Sequence, residues 1–85
     1  MKYQIVNQGT KNSMRLQSIG LVMGTPANEI KKGDHLMWNF GSISVVNEIL
    51  KETAKTIVIS VSVKGCNKVY QRRLKKNRLV CILKK

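Results

Sequence analysis

Residues 70–79 read YQRRLKKNRL and hold three of the chain's four arginines, Arg72, Arg73 and Arg78, within seven residues. A guanidinium is planar, stays charged, and meets a phosphate with two parallel N–H donors, whereas a lysine offers mainly point charge. Lys75 and Lys76 extend the run, and Tyr70 and Lys68 precede it. On an extended strand, positions 68, 70 and 72 share one face. An aromatic between two cations can stack a base while its neighbours hold the flanking phosphates. These residue types at this spacing predict a nucleic-acid contact made by Lys68, Tyr70, Arg72, Arg73, Lys75, Lys76 and Arg78. Two plainer readings compete. Charges at 75–78 can be ordinary wet turn residues, and Tyr70 can pack inward with Leu74 while Val69 faces out.

Other chemistries lack parts. The four acids, Glu29, Asp34, Glu48 and Glu52, fall in predicted turns or at strand ends, and general acid–base catalysis needs two such groups, or one with the sole histidine, His35, in a cleft. Cys66 and Cys81 form neither a CxxC pair nor a Cys/His ligand set. The expectation is a protein without catalytic residues, metal or cofactor. Trp38, sharing a predicted face with Leu36 and Phe40, is expected in the core rather than as an exposed stacking surface.

The charge balance supports a polyanionic partner. Sixteen Lys and Arg against four Asp and Glu give a net charge of +12, which repels itself in a folded chain unless counter-charge is near. Residues 53–85 hold ten basic residues and no acid, while residues 1–52 hold six basic and four acidic. Apolar residues make up 42% of the chain, enough for a core and too many for a disordered polyelectrolyte. With 85 residues, one domain is expected, with 26–83 as its core and 1–25 as an extension or extra strand. Two cysteines are few for a secreted disulfide framework, so a reducing, cytoplasmic setting is expected. The apolar stretch at 18–24 is short, contains two glycines and follows a long polar segment, which reads against a signal peptide. No run is long enough to cross a bilayer.

The basic segment needs strands to position it. Residues 56–63 (TIVISVSV) give the strongest signal: six of eight are β-branched, with Ile57, Ile59, Val61 and Val63 on one face and Thr56, Ser60 and Ser62 on the other. That second face is small and polar, leaving room for a ligand to lie against it. After a turn at Gly65-Cys66-Asn67, residues 68–74 should return antiparallel, 75–78 should turn tightly, and 79–83 (LVCIL) should close the sheet. Upstream, 2–6 reads as a strand, 14–23 as one further strand, and 35–40 as a strand turning through Asn39-Phe40-Gly41 into 42–50, with a bulge at Val45-Val46. Residues 69–85 tested as a basic membrane-surface helix give only a broken apolar stripe, so no membrane partner is expected.

The stretch Ala27-Asn28-Glu29-Ile30-Lys31-Lys32-Gly33-Asp34, followed by a strand, a glycine turn and a second strand with Val45-Val46, resembles the opening of SH3-like and Hint-like small barrels. In those folds the alanine and isoleucine pack inward and the Gly-Asp pair begins a barrel strand. Continued through residues 70–80, the pattern is similar to small proteins of bacteriophages and other mobile elements. The resemblance spans about residues 26–82 and implies fold more than function. Hint-like proteins that cleave themselves need a nucleophile at the domain start and a histidine motif. Met1 is no nucleophile and His35 stands alone, so that chemistry is not implied here.

The expected protein is therefore all-β, a small antiparallel SH3-like barrel of five to six short strands. It is expected to bind RNA or DNA through backbone phosphates with little sequence preference. The alternative is a module whose basic face docks an acidic protein.

Overall fold

The computed structural model describes residues 3–63, 65 and 68–83, and it is all-β. Its strands are β1 (Ser13–Leu16), β2 (Gly20–Met23), β3 (Thr25–Pro26), β4 (His35–Met37), β5 (Ile43–Glu52), β6 (Thr56–Val63), β7 (Val69–Lys75) and β8 (Leu79–Leu83). β1 and β2 form a hairpin of their own, and the other six make one antiparallel sheet in the order β3-β8-β4-β5-β6-β7.

The β-branched run of β6 sets the centre of the sheet. Ile57, Ile59 and Val61 are buried on its inner face, together with Leu36 of β4, Val46 of β5, Leu74 of β7 and Val80 of β8. Ala27 and Ile30 join them, one at each end of the connector that follows β3. A single core fed by β4 to β8 requires the sheet to curl round it. Among the described residues no ladder joins β7 to β3, so the sheet is open where a closed barrel was expected. The physical reason lies at the first edge: β3 is two residues long and ends at Pro26, which has no N–H to donate to a further strand.

The hairpin of β1 and β2 builds a second core on the back of the sheet. Leu16 and Val22 pack there against Met37, Cys81 and Leu83. β4 and β8 are thus covered on both faces, which is why Leu36 and Met37, and Val80 and Cys81, are buried as adjacent pairs. This arrangement corrects three sequence expectations. Residues 14–23 are a hairpin rather than one strand, turning through Ser18 and Gly20, both at positive φ. The strand expected over 35–40 stops at Met37, so Trp38 still packs against the core that holds Leu36 but Phe40 does not join them. A 3-10 turn over Asn39–Gly41 follows, pinned to the hairpin where Phe40 N–H donates to the Gln17 carbonyl and Gln17 N–H to Asn39 Oδ1, both at 2.8 Å. Phe40 is left at φ 63° and 70% exposed. Finally, the bulge falls between Val46 and Glu48, with a second between Ile49 and Lys51. Val46 is locked in place by bonds to the Gly33 amide and the Asp34 carbonyl, and the extra residue, Asn47, bonds Ser62 Oγ instead.

Other elements lie where the sequence places them. Gly33 takes φ +92° before Asp34, whose carboxylate accepts the Lys31 N–H at 2.8 Å. By contrast, the strand expected over 2–6 is reduced to one bridge: residues 4–6 run beside β2 with Ile5 joined to Val22, and Lys2 lies outside the described residues. Of the expected turn at 65–67, Gly65 is at φ +85°, and Cys66 and Asn67 lie outside the described residues.

Gly24 is the hinge between hairpin and sheet. It is buried, and a Cβ there would sit 2.9 Å from Leu79 Cβ and 3.0 Å from the Asn12 carbonyl oxygen. Gly24→Ala is therefore expected to destabilise the protein by about 1–3 kcal/mol through overpacking. A urea unfolding curve should show a lower midpoint at unchanged slope. An unmoved midpoint would mean that the hairpin is not packed as described.

Candidate nucleic-acid interface

β7 carries the basic segment as an edge strand, paired on one side to β6 from Thr56↔Lys75 to Ser62↔Val69. Directly opposed residues of an antiparallel pair point to the same face. Tyr70 therefore lies beside Val61, Arg72 beside Ile59 and Leu74 beside Ile57, all on the inner face. Arg73 lies beside Val58 and Lys75 beside Thr56 on the outer, small and polar face, with Val69 and Gln71. The basic segment is split between the two faces of one strand. The polar face offered as a ligand platform receives Arg73 and Lys75, not Tyr70 and Arg72. This is the inward parity weighed for Tyr70 and Leu74. Leu74 is buried, but Tyr70 stands where the core row runs out and remains 45% exposed.

The curl of the sheet brings Trp38 under this end of β7. The Arg72 guanidinium carbon is 4.1 Å from the centroid of the indole, and that of Arg78, from the β7–β8 turn, is 5.8 Å away. Both distances fall within reach of a cation–π attraction. Trp38 Nε1–H donates to Ser44 Oγ at 3.1 Å, which fixes the ring against β5. The indole packs against the core with one face under the cations, so it is half-buried rather than enclosed. Beside it lies a cleft of about 390 Å³ between Ser44, Val61, Val63, Tyr70, Gln71 and Arg72.

The remaining predicted residues are dispersed. Lys68 is exposed just before β7. Lys76 Nζ is 2.9 Å from Glu52 Oε2, the only ion pair among the described residues. That pair is partly exposed and contributes at most about 1 kcal/mol, but it occupies the ammonium. The tight turn at 75–78 forms as expected, with Arg78 N–H donating to the Lys75 carbonyl. A second hollow, of about 570 Å³, lies between this turn and the β5–β6 turn and adds Lys55 to Lys75 and Lys76. Sequence spacing missed both Lys55 and Trp38 as neighbours of the basic run. Lys55 is brought to it by the pairing of β6 with β7 and Trp38 by the curl of the sheet, and no local pattern records either.

The groups weighed for other chemistry are placed as follows. His35 is half-buried in β4, its residue paired with Val45 and Leu83. Among the described residues no three His, Cys, Asp or Glu side chains gather as a metal site. Among those residues also, no helix is long and apolar enough to cross a membrane. Cys81 is buried in the second core, and loss of hydration pushes its thiol pKa up. In a Cys66→Ser protein, Cys81 should therefore be blocked to a thiol reagent at pH 8 until denaturant is added. Rapid labelling of the folded protein would contradict the packing of β8 under the hairpin. Comparison of this chain with the models of known protein families, with curated proteins and with solved structures gives no match.

Proposed function

We propose that this protein binds nucleic acid, RNA or DNA, through backbone phosphates held along β7 and the β7–β8 turn, with little sequence selectivity. One observation carries the reading: Arg72, Arg73, Lys75 and Arg78 are exposed on an edge strand and its turn, and none has a carboxylate partner among the described residues. Cations whose role was to stabilise the fold would be expected to meet acids, as Lys76 meets Glu52. Arginines without a carboxylate keep their in-plane N–H donors for another partner, and a phosphate can take two at once. A cytoplasmic accessory protein of a phage or mobile element, working beside a genome or transcript, fits this reading.

A second reading rests on Val69, an apolar side chain 61% exposed on the outer face of the same edge strand as Arg73. An extended acidic peptide could add to β7 as a further strand. Fluorescence anisotropy with labelled single-stranded DNA, duplex DNA and RNA across a salt series separates the two. Binding that weakens steeply with salt supports the phosphate grip. No binding at low salt by the folded protein overturns it and directs the search to acidic proteins.

A further inference from the structure

We propose that the cleft between Tyr70 and Arg72 is a pocket for one unpaired nucleobase, so that the protein selects single strands. The strand would cross the β7 edge with its base on the inner face and its backbone on the outer. The inference rests on the nucleic-acid reading and names what that site selects.

The lining matches a flat, π-faced, hydrogen-bonding ligand. Val61 and Val63 give an apolar floor, Tyr70 an aromatic wall, and Arg72 a guanidinium already supported by the Trp38 ring at 4.1 Å. Ser44 Oγ accepts the Trp38 Nε1–H, so its own hydroxyl proton is left to donate. The cleft, at about 390 Å³, is of the size that small ligands occupy. A phosphate has no use for a valine floor, and an aliphatic chain gains nothing from a guanidinium. A heterocyclic base uses both, stacking on Tyr70 and accepting hydrogen bonds from Arg72 and Ser44.

The alternation of β7 then dictates the path of the chain. Arg73 and Lys75 follow the cleft residues directly in sequence but point to the opposite face. A ligand that meets both sets bends over a free strand edge, which a flexible single strand does readily. In a duplex the π faces are buried in the stack, and freeing one base costs a few kcal/mol.

The test uses the full chain with two labelled probes of equal length, an oligothymidylate and an abasic deoxyribose-phosphate strand. The two carry the same phosphates, and only one carries bases. The wild-type protein should bind the oligothymidylate about 10–100-fold more tightly than the abasic strand, in line with the stacking of one base. Tyr70→Ala should abolish this gap while leaving abasic binding unchanged, and Tyr70→Phe should keep it. A urea unfolding midpoint close to wild type shows that the variant is folded. Equal wild-type affinity for the two probes, or a gap that survives Tyr70→Ala, overturns the pocket and leaves the phosphate grip standing. Failure of both probes to bind overturns the grip and the pocket together.

Discussion

Ile59→Ala should lower the unfolding free energy by about 2–5 kcal/mol, the range for truncating a buried aliphatic side chain. Ile59 is fully buried at the middle of β6, between Ile49 of β5 and Arg72 of β7, in the core that Leu36, Val46 and Leu74 share. Its neighbours come from strands on both sides and cannot all collapse into the space, so a cavity term adds to the lost transfer energy. A chain of this length has a total stability on the order of 4–13 kcal/mol. The variant should therefore unfold at a much lower urea concentration, followed by the fluorescence of Trp38. Ile59→Val, which removes one methyl, should cost only about 0.5–1.5 kcal/mol. If the alanine variant lost less than the valine one, the inner row of β6 would not be the core.

The second large effect concerns salt. Lys68, Arg72, Arg73, Lys75 and Arg78 offer roughly five phosphate contacts, and on a single strand the slope of log K against log salt is about −0.7 per contact. The expected slope is thus near −3.5, a loss of about 100-fold between 50 and 200 mM salt. Replacing Arg72, Arg73 and Lys75 together by glutamate leaves two contacts and a slope near −1.4, with affinity at low salt reduced by several powers of ten. Lys76 is left out because Glu52 holds it. The control reverses Lys11, Lys31 and Lys32, three exposed lysines elsewhere on the chain, and changes net charge by the same amount. That protein should keep a slope close to wild type. Equal losses in the two variants would mean that net charge acts without a site.

Where local chemistry decided the structure, the residues were readable. β6 and β8 have the bounds that β-branching and apolar runs predict, and Gly33 turns the chain ahead of Asp34 as its type requires. Reading failed where a second layer intervened. The alternation Leu36, Trp38, Phe40 assumes one buried face, but the hairpin of β1 and β2 covers the back of β4, so Met37 is buried as well, and Phe40, in the turn expected at 39–41, is exposed. For the candidate site, the sequence supplied the cations and Tyr70 but not their sides. A spacing of two tells which residues share a face, and only the burial of Leu74 tells which face it is. The meeting of Trp38 with Arg72 and Arg78 depends on curl, a property of the whole sheet.

β7 has one more consequence, for the behaviour of many copies together. Among the described residues its outer backbone groups have no partner strand, and such an edge invites a second copy to pair with it. In an antiparallel pairing centred on Arg72, guanidinium would face guanidinium, so like charge holds free molecules apart. A polyanion lying along the same strand cancels that charge at the place where it prevents contact. Neutralisation would therefore lift the barrier to crowding, and protein mixed with an added polyanion at charge balance should coalesce into a separate phase. Excess of either component would restore a net charge and dissolve it again.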